Sequence, residues 1–563
     1  MSEMESPSVA VARDFLQTVL IVDDRAEFGP ADKLKPNTSD VATRDSAREG
    51  EATAGRDFQG HDSQIKESGG REVPQQIPRG DLEVPTPEKI SEASGTDELD
   101  AKLVTDRFAA LGLVCGVIRP NPDDVITEII GPAALRADIL ILDWRLDSDN
   151  GERSLEVIHK IVTGIDDCHR LRLIVIYTGA GDLASIVTRV AHSLEDPIMH
   201  GKTSVIAGPV HITVLAKPDA RVDQDLHDTV VGFKELPDRV IEEFANAAKG
   251  LMPNVALGSF AAIRRNTHRV LKRFSQDLDA AYLGHRMLLL HPEDAETLLA
   301  NLMAQEISAV LENANVGAHA DEGSAESLIR EAVLSAREID PVREMARGKG
   351  LSVAEYAVSL IKSGVYSSES GLNKTQADRA HRWTSKIYAT DDAEASSVDL
   401  RFAALVKSKS RYENPVPELR LGAFVRDCIS NEFLLCMQPL CDSVRLVGNT
   451  QFPFLRLKSV EDGIDFVIDH LGEMHKLRLD LRIRDLQMIE FSPTANPPGV
   501  IKATWDKDAS GWFFKASGQE SPILWWVGEL REGWAHKYAN KFSNSISRVG
   551  MDDSEWARRY GTD

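Results

Sequence analysis

The sequence predicts an α/β fold in which a five-stranded parallel sheet carries helices on both faces. A mainly helical middle region and an α+β C-terminal region are predicted to follow it. Three observations predict this order. Short apolar runs alternate with segments of helical periodicity over about the first 235 residues. Helical periodicity then dominates from about 237 to 411, and short apolar runs separated by turn residues take over from about 413.

The sheet is predicted from strand and helix patterns that follow one another in order. The predicted strands are 16–22, 113–118, 137–146, 171–179 and 211–218. The predicted helices are 97–112, one within 123–135, 152–162, about 182–194 and 225–233, with a looser stretch before the last strand. Parallel strands need long crossover connections, which are usually helices, so this alternation predicts a parallel sheet.

Residues 31–95 interrupt this pattern. They carry 13 acidic and 9 basic residues, a single aromatic residue and clusters of Gly and Pro. Little apolar surface is available here to offset the entropy lost on ordering, so we predict a disordered or loosely ordered insertion. The expected domains are an α/β domain of 1–30 and 96–235, the insertion, a helical region of 236–411 and a β-rich C-terminal domain of 412–563 that ends in helices.

The C-terminal region is predicted to be β-rich, with a return to helix near its end. Apolar runs such as LRLGAFV, FLLCMQPL and FPFLRL are short and bounded by turn residues. The segment 523–550, ILWWVGELREGWAHKYANKFSNSISRVG, is predicted to be helical. Five of the eight tryptophans lie at or beyond Trp512, which predicts a well-packed or interacting end.

Charge and composition exclude several classes of protein. The formal net charge of −23 disfavours binding to nucleic acid or to an anionic membrane, because both would be repelled. The N-terminus lacks the basic and long apolar segments of a signal peptide, and no stretch approaches 18 uninterrupted apolar residues. Five cysteines fit a reducing compartment better than a disulfide framework. We therefore expect a soluble, cytoplasmic protein without membrane association.

Polar residues stand at the ends of four predicted strands. They are Asp23 and Asp24, Asp143, Thr178 and Lys217. The carboxyl ends of parallel strands share one edge of a sheet, so these residues are expected to meet there. Three clustered carboxylates repel one another without a cation, and Mg²⁺ prefers oxygen ligands and is usually paired with phosphate. A carboxylate beside Mg²⁺ can attack a phosphoryl group, while a lysine neutralises phosphoryl oxygens and a hydroxyl reports the new group by hydrogen bonding.

The segments that carry these residues resemble a known family. VLIVDD, ILILDW, IVIYTG and VLAKP, in this order, are similar to the receiver domain of bacterial response regulators, and the similarity covers 16–30 and 96–235. The resemblance implies a flavodoxin-like fold and Mg²⁺-dependent acceptance of a phosphoryl group. All five chemical positions of a receiver are present, which argues against an inactive one.

The resemblance implies a role for each strand-end residue. Asp143 would be the phosphoacceptor, Thr178 the hydroxyl that senses the phosphoryl group, and Lys217 its cationic partner. Asp23, Asp24, Asp143 and the backbone carbonyl of Arg145 would hold Mg²⁺. The alternative for the aspartates is a polar strand end, a helix cap or a buried structural carboxylate. For the hydroxyl and the lysine it is an ordinary residue at the start of a loop. Trp144 is expected to pack near the site rather than take part in chemistry.

Three departures from an ordinary receiver are visible. Asp24 and Asp143 are 119 residues apart (143 − 24), mainly because of the insertion. The connection from Thr178 to Lys217 is also long, at 39 residues (217 − 178). Val214 stands three residues before Lys217, where many receivers keep an aromatic residue that changes rotamer on activation. The sequence therefore does not support the aromatic rotamer switch of many receivers, but it still predicts phosphorylation.

The resemblance implies a signalling protein with two kinds of partner. A histidine kinase or phosphotransfer protein would supply the phosphoryl group, and a downstream effector protein would receive the signal by direct contact. The interrupted receiver, together with FLLCMQPLCDSVRL, FPFLRL and RVGMDDSEW, also resembles a divergent receiver group of bacterial conflict, or anti-phage, two-component-like systems. That second resemblance implies a role in defence against phage.

Other functions compete with this interpretation. The chain is alternatively a scaffold whose receiver-like domain binds partners without phosphorylation, or the regulator of an unrecognised catalytic C-terminal domain. A phosphatase of the haloacid-dehalogenase type is disfavoured, because it needs a second acid two residues after the nucleophile. That position holds Arg145, and Asp147 comes four residues after Asp143.

Two further features have both a functional and a structural interpretation. The segment 263–274, IRRNTHRVLKRF, is rich in basic residues, and a solvated or acid-paired helix face is favoured over a nucleic-acid patch. Cys428, Cys436 and Cys441 lie close together, but zinc sites prefer tighter spacing, so buried core thiols are favoured over a metal site.

Overall fold

The computed structural model describes residues 6–29, 98–163, 171–330, 339–412, 414–493, 499–518 and 523–546. The chain divides into two compact units, with the boundary between Ser324 and Ala325. The insertion predicted for 31–95 lies outside the described residues. No helix of the described ranges is long and apolar enough to cross a membrane.

The strands of the first unit form one mixed sheet and one small pair. They are β1 (Thr18–Val22), β2 (Ala26–Glu27), β3 (Leu99–Asp100), β4 (Val114–Ile118), β5 (Ile139–Leu142), β6 (Arg172–Thr178), β7 (Ile198–His200), β8 (Ser204–Ala207) and β9 (Val210–Ala216). The order in the main sheet is β4-β1-β5-β6-β9-β8-β7, and β2 pairs with β3. The first five strands of that order are parallel to one another, as predicted.

The sequence did not predict β7 and β8, which extend the sheet as antiparallel strands. They fill the stretch that showed no clear pattern before the last predicted strand. The reason is visible in their burial: all three residues of β7 are exposed, and β8 buries only alternate residues. A short edge strand of this kind gives almost no apolar signal.

The helices of the first unit are α1 (Pro7–Phe15), α2 (Ala101–Ala110), α3 (Ile126–Ile129), α4 (Gly131–Ala134), α5 (Glu152–Thr163), α6 (Leu183–His192), α7 (Leu236–Ala247), α8 (Leu251–Arg273), α9 (Asp279–Leu288) and α10 (Asp294–Asn313). As predicted, helices pack on both faces of the sheet. Residues of α3 to α6 share one core with the sheet, and residues of α1, α2 and α7 share the other.

Three helix predictions were inaccurate. The N-terminal helix α1 was not predicted, and the helix expected within 123–135 is two short helices, α3 and α4. The helix expected at 225–233 is a 3-10 turn at Gln224–Thr229. The helix that follows the last parallel strand and packs on the sheet is α7, whose Phe244 is fully buried. Its apolar periodicity was visible but was assigned to the helical region.

The second unit begins with helices that have a core of their own. Helix α11 (Glu322–Arg330) crosses the boundary between the units, and α12 (Asp340–Gly348), α13 (Val353–Ser363), α14 (Lys374–Asp378) and α15 (Asp392–Lys407) follow. The core of this helical part is built around residues such as Val342, Tyr356 and Trp383. The prediction of a helical middle region is confirmed.

The rest of the second unit is an antiparallel, half-barrel sheet with a terminal helix. Its strands are β10 (Ala423–Asp427), β11 (Phe433–Cys436), β12 (Thr450–Ser459), β13 (Phe466–His470), β14 (Glu473–Leu479), β15 (Leu486–Phe491), β16 (Thr504–Asp506), β17 (Gly511–Lys515) and β18 (Ile523–Glu529). The helix α16 (Glu532–Ile546) packs on one face of this sheet. The prediction that ILWWVGE is helical was wrong, because it forms β18 between β10 and β17.

Candidate functional site

Four parallel strands end at the same edge of the first unit's sheet, and each brings a polar residue there. Asp23 follows β1, Asp143 follows β5, Thr178 ends β6 and Lys217 follows β9. These strands are neighbours in the order β1-β5-β6-β9, with residues in parallel register. Residues up to 194 positions apart in sequence therefore meet, as the strand-end pattern predicted.

Lys217 joins two of the predicted carboxylates. Its Nζ lies 2.9 Å from Asp23 Oδ2 and 2.8 Å from Asp143 Oδ2. All three side chains are nearly inaccessible to water, with relative exposures between 2% and 6%. A buried ammonium that bridges two buried carboxylates neutralises much of their repulsion, which is costly in a medium of low dielectric constant.

Asp24 completes an acidic cluster with Asp23 and Asp143. One oxygen from each of the three carboxylates lies within 4.8 Å of the others, an arrangement that could hold a metal ion. Asp24 Oδ2 accepts a hydrogen bond from the Asp147 amide at 3.0 Å. Asp24 Oδ1 is buried and has no hydrogen-bond partner in the described part of the chain. A buried carboxylate oxygen without a partner is unfavourable unless a cation approaches it.

The charges in the cluster match a divalent cation. Three carboxylates and one ammonium leave a formal charge of −2 when all are ionised. The donors are all carboxylate oxygens. Hard cations such as Mg²⁺ and Ca²⁺ prefer these ligands, whereas softer metals prefer nitrogen or sulfur ligands. The orphaned oxygen of Asp24 and this donor set fit a hard divalent ion.

Backbone amides orient the carboxylates. The amide of Arg25 donates to Asp23 Oδ1 at 2.8 Å, and the amide of Arg145 donates to Asp143 Oδ1 at 3.1 Å. Each carboxylate thus uses one oxygen for the backbone and the other for Lys217. These contacts fix the direction of both side chains before any ligand binds, which is the preorganisation a reactive site needs.

The buried charges shift one another's titration. Burial raises the pKa of the Asp23 carboxyl above its ordinary value, and nearby Asp143 adds to the effect, outweighing the opposing influence of Lys217. Burial alone would lower the pKa of the Lys217 ammonium, but Asp143 and Asp23 raise it above its ordinary value. Lys217 therefore stays protonated at neutral pH and keeps its positive charge at the site.

Two further predicted site residues are Thr178, which ends β6, and Arg145, which follows the neighbouring strand β5. Thr178 is fully buried, and its Oγ1 accepts a hydrogen bond from the amide of Ala180 at 3.1 Å. The loop that follows Thr178 joins β6 to α6. Strand β6 pairs with β9, the strand that Lys217 follows. Arg145 contributes its amide to Asp143, and a role for its backbone carbonyl remains a prediction.

Several residues around the cluster escaped sequence reasoning. Ser154 Oγ donates to the backbone carbonyl of Asp143 at 2.6 Å, which ties α5 to the end of β5. Tyr177, on β6, lies with its ring centroid 6.0 Å from Lys217 Nζ and donates its hydroxyl to the Val231 carbonyl at 2.6 Å. No motif marks either residue. Val214, at the position of the usual switch aromatic, is buried in the core.

Trp144 packs beside the site as expected. Its side chain is 2% exposed, and Arg189 lies over its ring at 5.3 Å. Gly151 makes room for the ring: a Cβ added there would lie 2.3 Å from two of the indole carbons, and the residue has a φ of +91°. A glycine at this position therefore allows both the close approach and the left-handed backbone.

The other two sequence features have structural explanations. On α8, Arg264 donates to the Phe15 carbonyl, Arg265 pairs with Asp14 and Arg273 pairs with Glu306. This supports the acid-paired interpretation of the basic segment. Among the clustered cysteines, Cys436 is buried as expected, but Cys428 and Cys441 are exposed.

Comparison with known proteins adds one match. Residues 15–226, less than half of the chain, match the family model described as the response receiver domain. No curated protein and no solved structure matches the chain. Over residues 15–226 the chain is therefore similar to a response receiver domain, and the parallel sheet and the acidic cluster agree with that match.

Proposed function

We propose that the chain is a signalling protein that accepts a phosphoryl group on Asp143 and passes the signal on through protein–protein contacts. The observation that carries this proposal is the cluster itself. Lys217 holds the carboxylates of Asp23 and Asp143 at 2.9 and 2.8 Å, beside an Asp24 oxygen that lacks a partner. A structural ion pair would not need the third, unsatisfied carboxylate.

The residues present suggest how each takes part. A carboxylate oxygen of Asp143 attacks phosphorus, the bond from phosphorus to the donor's leaving atom breaks, and an acyl phosphate forms on Asp143. Asp23, Asp24 and Asp143, with the Arg145 carbonyl, would hold Mg²⁺, which supplies positive charge for the phosphoryl oxygens. Lys217, released from part of its pairing with Asp143, hydrogen-bonds a phosphoryl oxygen, and Thr178 Oγ1 donates to another.

The donor is proposed to be a phosphohistidine on a histidine kinase or phosphotransfer protein. The receptor of the signal is proposed to be a separate effector protein. The resemblance of the interrupted receiver and of FLLCMQPLCDSVRL, FPFLRL and RVGMDDSEW to anti-phage systems supports a setting in phage defence. Neighbouring genes for a histidine kinase and a toxic enzyme would agree with that setting, and a lone locus would weaken it.

Labelling of the purified chain by acetyl phosphate tests the chemistry. We expect Mg²⁺-dependent incorporation of one phosphoryl group, lost in Asp143→Asn and on removal of Mg²⁺ by EDTA. Asp123→Asn, which removes an exposed carboxylate of the same domain, is the matched control and should label normally. A folded wild-type chain that takes no label, or an Asp143→Asn variant that still takes it, would contradict the proposal. The first outcome favours the phosphorylation-independent scaffold.

A further inference from the structure

The first unit carries a helical hairpin whose apolar side chains are exposed. In α9 no residue is buried, and in the 20-residue helix α10 only Ala295 is. The exposed apolar side chains of α9, of the connection and of α10 have relative exposures from 37% to 89%. They are Leu283, Met287, Leu288, Leu290, Leu298, Leu299, Leu302 and Met303, which we call the hairpin surface. An apolar patch of this extent usually marks an interaction site.

Helix α10 is amphipathic, but the start of its apolar side is uncovered. Leu298, Leu299, Leu302 and Met303 recur at helical spacing on one side, and Thr297, Asn301 and Ser308 occupy the other. The later turns of α10 lie against α8, where Glu306 pairs with Arg273 at 3.2 Å. Since α8 ends at Arg273, the first three turns of α10 extend beyond it, and α9 contacts them, for example through Arg286 and Glu296 at 2.9 Å.

We propose that the hairpin surface binds a second copy of this chain about a two-fold axis, with the two α10 helices antiparallel. The charges at its ends favour this occupant. Glu293 and Asp294 lie at the start of α10, and Lys272 lies near the end of α8, about 18 Å away along α10. Glu296 and Arg273 are paired within each copy, with Arg286 and Glu306, so the pairing between copies does not depend on them. In an antiparallel pair the acidic end of each copy faces the basic end of the other.

The size of the surface agrees with a stable dimer. A specific interface buries about 800 Å² on each partner, with apolar side chains at its centre. Eight large apolar side chains, with Leu288 at 87% and Leu290 at 89% exposure, provide an area of that order. The inference does not rest on phosphorylation, so failure of Asp143 to label would leave it untouched.

Sedimentation velocity of the full chain over a wide concentration range tests this inference. We expect a dimer whose dissociation constant rises by about a hundredfold or more when Leu298→Glu and Leu302→Glu are combined, because four carboxylates would be buried without partners. Thr297→Glu combined with Asn301→Glu adds the same charges to the polar side of the same turns and should leave the dimer unchanged. Circular dichroism checks that both variants fold.

A charge exchange tests the antiparallel arrangement. Lys272→Glu and Glu293→Lys should each weaken the dimer several-fold, and the combined variant should recover most of the loss. A wild-type chain that stays monomeric overturns the proposal. If the leucines of the hairpin surface are inaccessible to solvent in such a monomer, another part of the same chain covers them. The proposal is also overturned if Leu298→Glu with Leu302→Glu and Thr297→Glu with Asn301→Glu weaken the dimer equally. A combined charge exchange without recovery overturns the antiparallel pairing.

Discussion

At the scale of single residues, Lys217 decides the electrostatics of the receiver site. It is the one cation within hydrogen-bond distance of both Asp23 and Asp143 among the contacts described, and all three side chains are buried. Placing charges of both signs out of water is costly, and their attraction offsets that cost only while the pairing is complete. The carboxylate with an unsatisfied oxygen is that of Asp24, whose Oδ1 has no protein partner in the described ranges.

Removal of the Lys217 ammonium should therefore destabilise the receiver strongly. We expect Lys217→Met to lower the free energy of unfolding by about 3–5 kcal/mol at neutral pH, because two buried carboxylates lose their cation. Added Mg²⁺ should recover part of the loss by ligand linkage. Urea denaturation with and without Mg²⁺ measures both effects. Lys202→Met, which breaks an exposed pair with Asp225, is the control and should cost about 1 kcal/mol or less.

The pH dependence of the Lys217→Met variant gives a second reading of the same effect. Burial and the neighbouring carboxylate raise the pKa of Asp23 even in the presence of Lys217. A carboxyl whose folded-state pKa is raised favours the folded state while protonated, and this stability is lost as pH rises through the raised pKa. The destabilisation should thus be small in acid and grow towards neutral pH. A loss that is independent of pH would contradict this explanation.

At the scale of elements, the site depends on what surrounds the strand ends. The sequence patterns predicted the five parallel strands and the residues that end them, because buried strands have continuous apolar runs and the site follows from their shared edge. Nothing in those patterns could predict Ser154 or Tyr177, whose contacts with Asp143 and Lys217 arise only when α5 and β6 pack. Local sequence patterns predict where an element lies in the chain, but its contacts with other elements depend on tertiary packing.

The missed strands show the same limit. β7 has no buried residue, and β8 buries alternate residues, so neither shows a continuous apolar run. β18 was missed for a different reason. Its segment ILWWVGE has a clear apolar pattern that is compatible with either helix or strand, and pairing with β10 and β17 makes it a strand. Periodicity does not state what covers a helix face, so it could not predict that the hairpin surface is exposed.

Gly151 offers a test of how the α5 junction supports the site. We expect Gly151→Ala to destabilise the receiver by about 2–4 kcal/mol, because the left-handed φ of +91° costs about 1–2 kcal/mol and the Cβ would meet the Trp144 ring at 2.3 Å. Gly201→Ala, with a φ of +67° and nothing near its Cβ, isolates the backbone cost. Urea denaturation and the fluorescence of Trp144 are the measurements. Equal losses in the two variants would show that contact with Trp144 is unimportant.

At the scale of the whole molecule, the acidic cluster belongs to only one of two compact units. The cluster lies in the unit that ends at Ser324, and the helical part with its own core and the antiparallel sheet lie in the other. A chain of this kind need not unfold in a single two-state step. The tryptophans are divided unequally as well: Trp144 alone lies before residue 325, and the other seven lie after it.

Mg²⁺ should therefore stabilise the first unit selectively. At a free concentration of about 100 times its dissociation constant, a ligand that binds only the folded state adds about 2.7 kcal/mol. For a unit of this size that amounts to a shift of several degrees in the transition temperature. We expect calorimetry of the full chain to show two transitions, of which Mg²⁺ raises one. The difference in fluorescence between wild type and Trp144→Phe assigns that transition to the first unit.

Asp24→Asn should abolish the shift while leaving both transitions in place, because it removes the oxygen that lacks a partner but breaks neither contact of Lys217. A shift that persists in Asp24→Asn, or one that appears in both transitions, would place the bound ion elsewhere in the molecule.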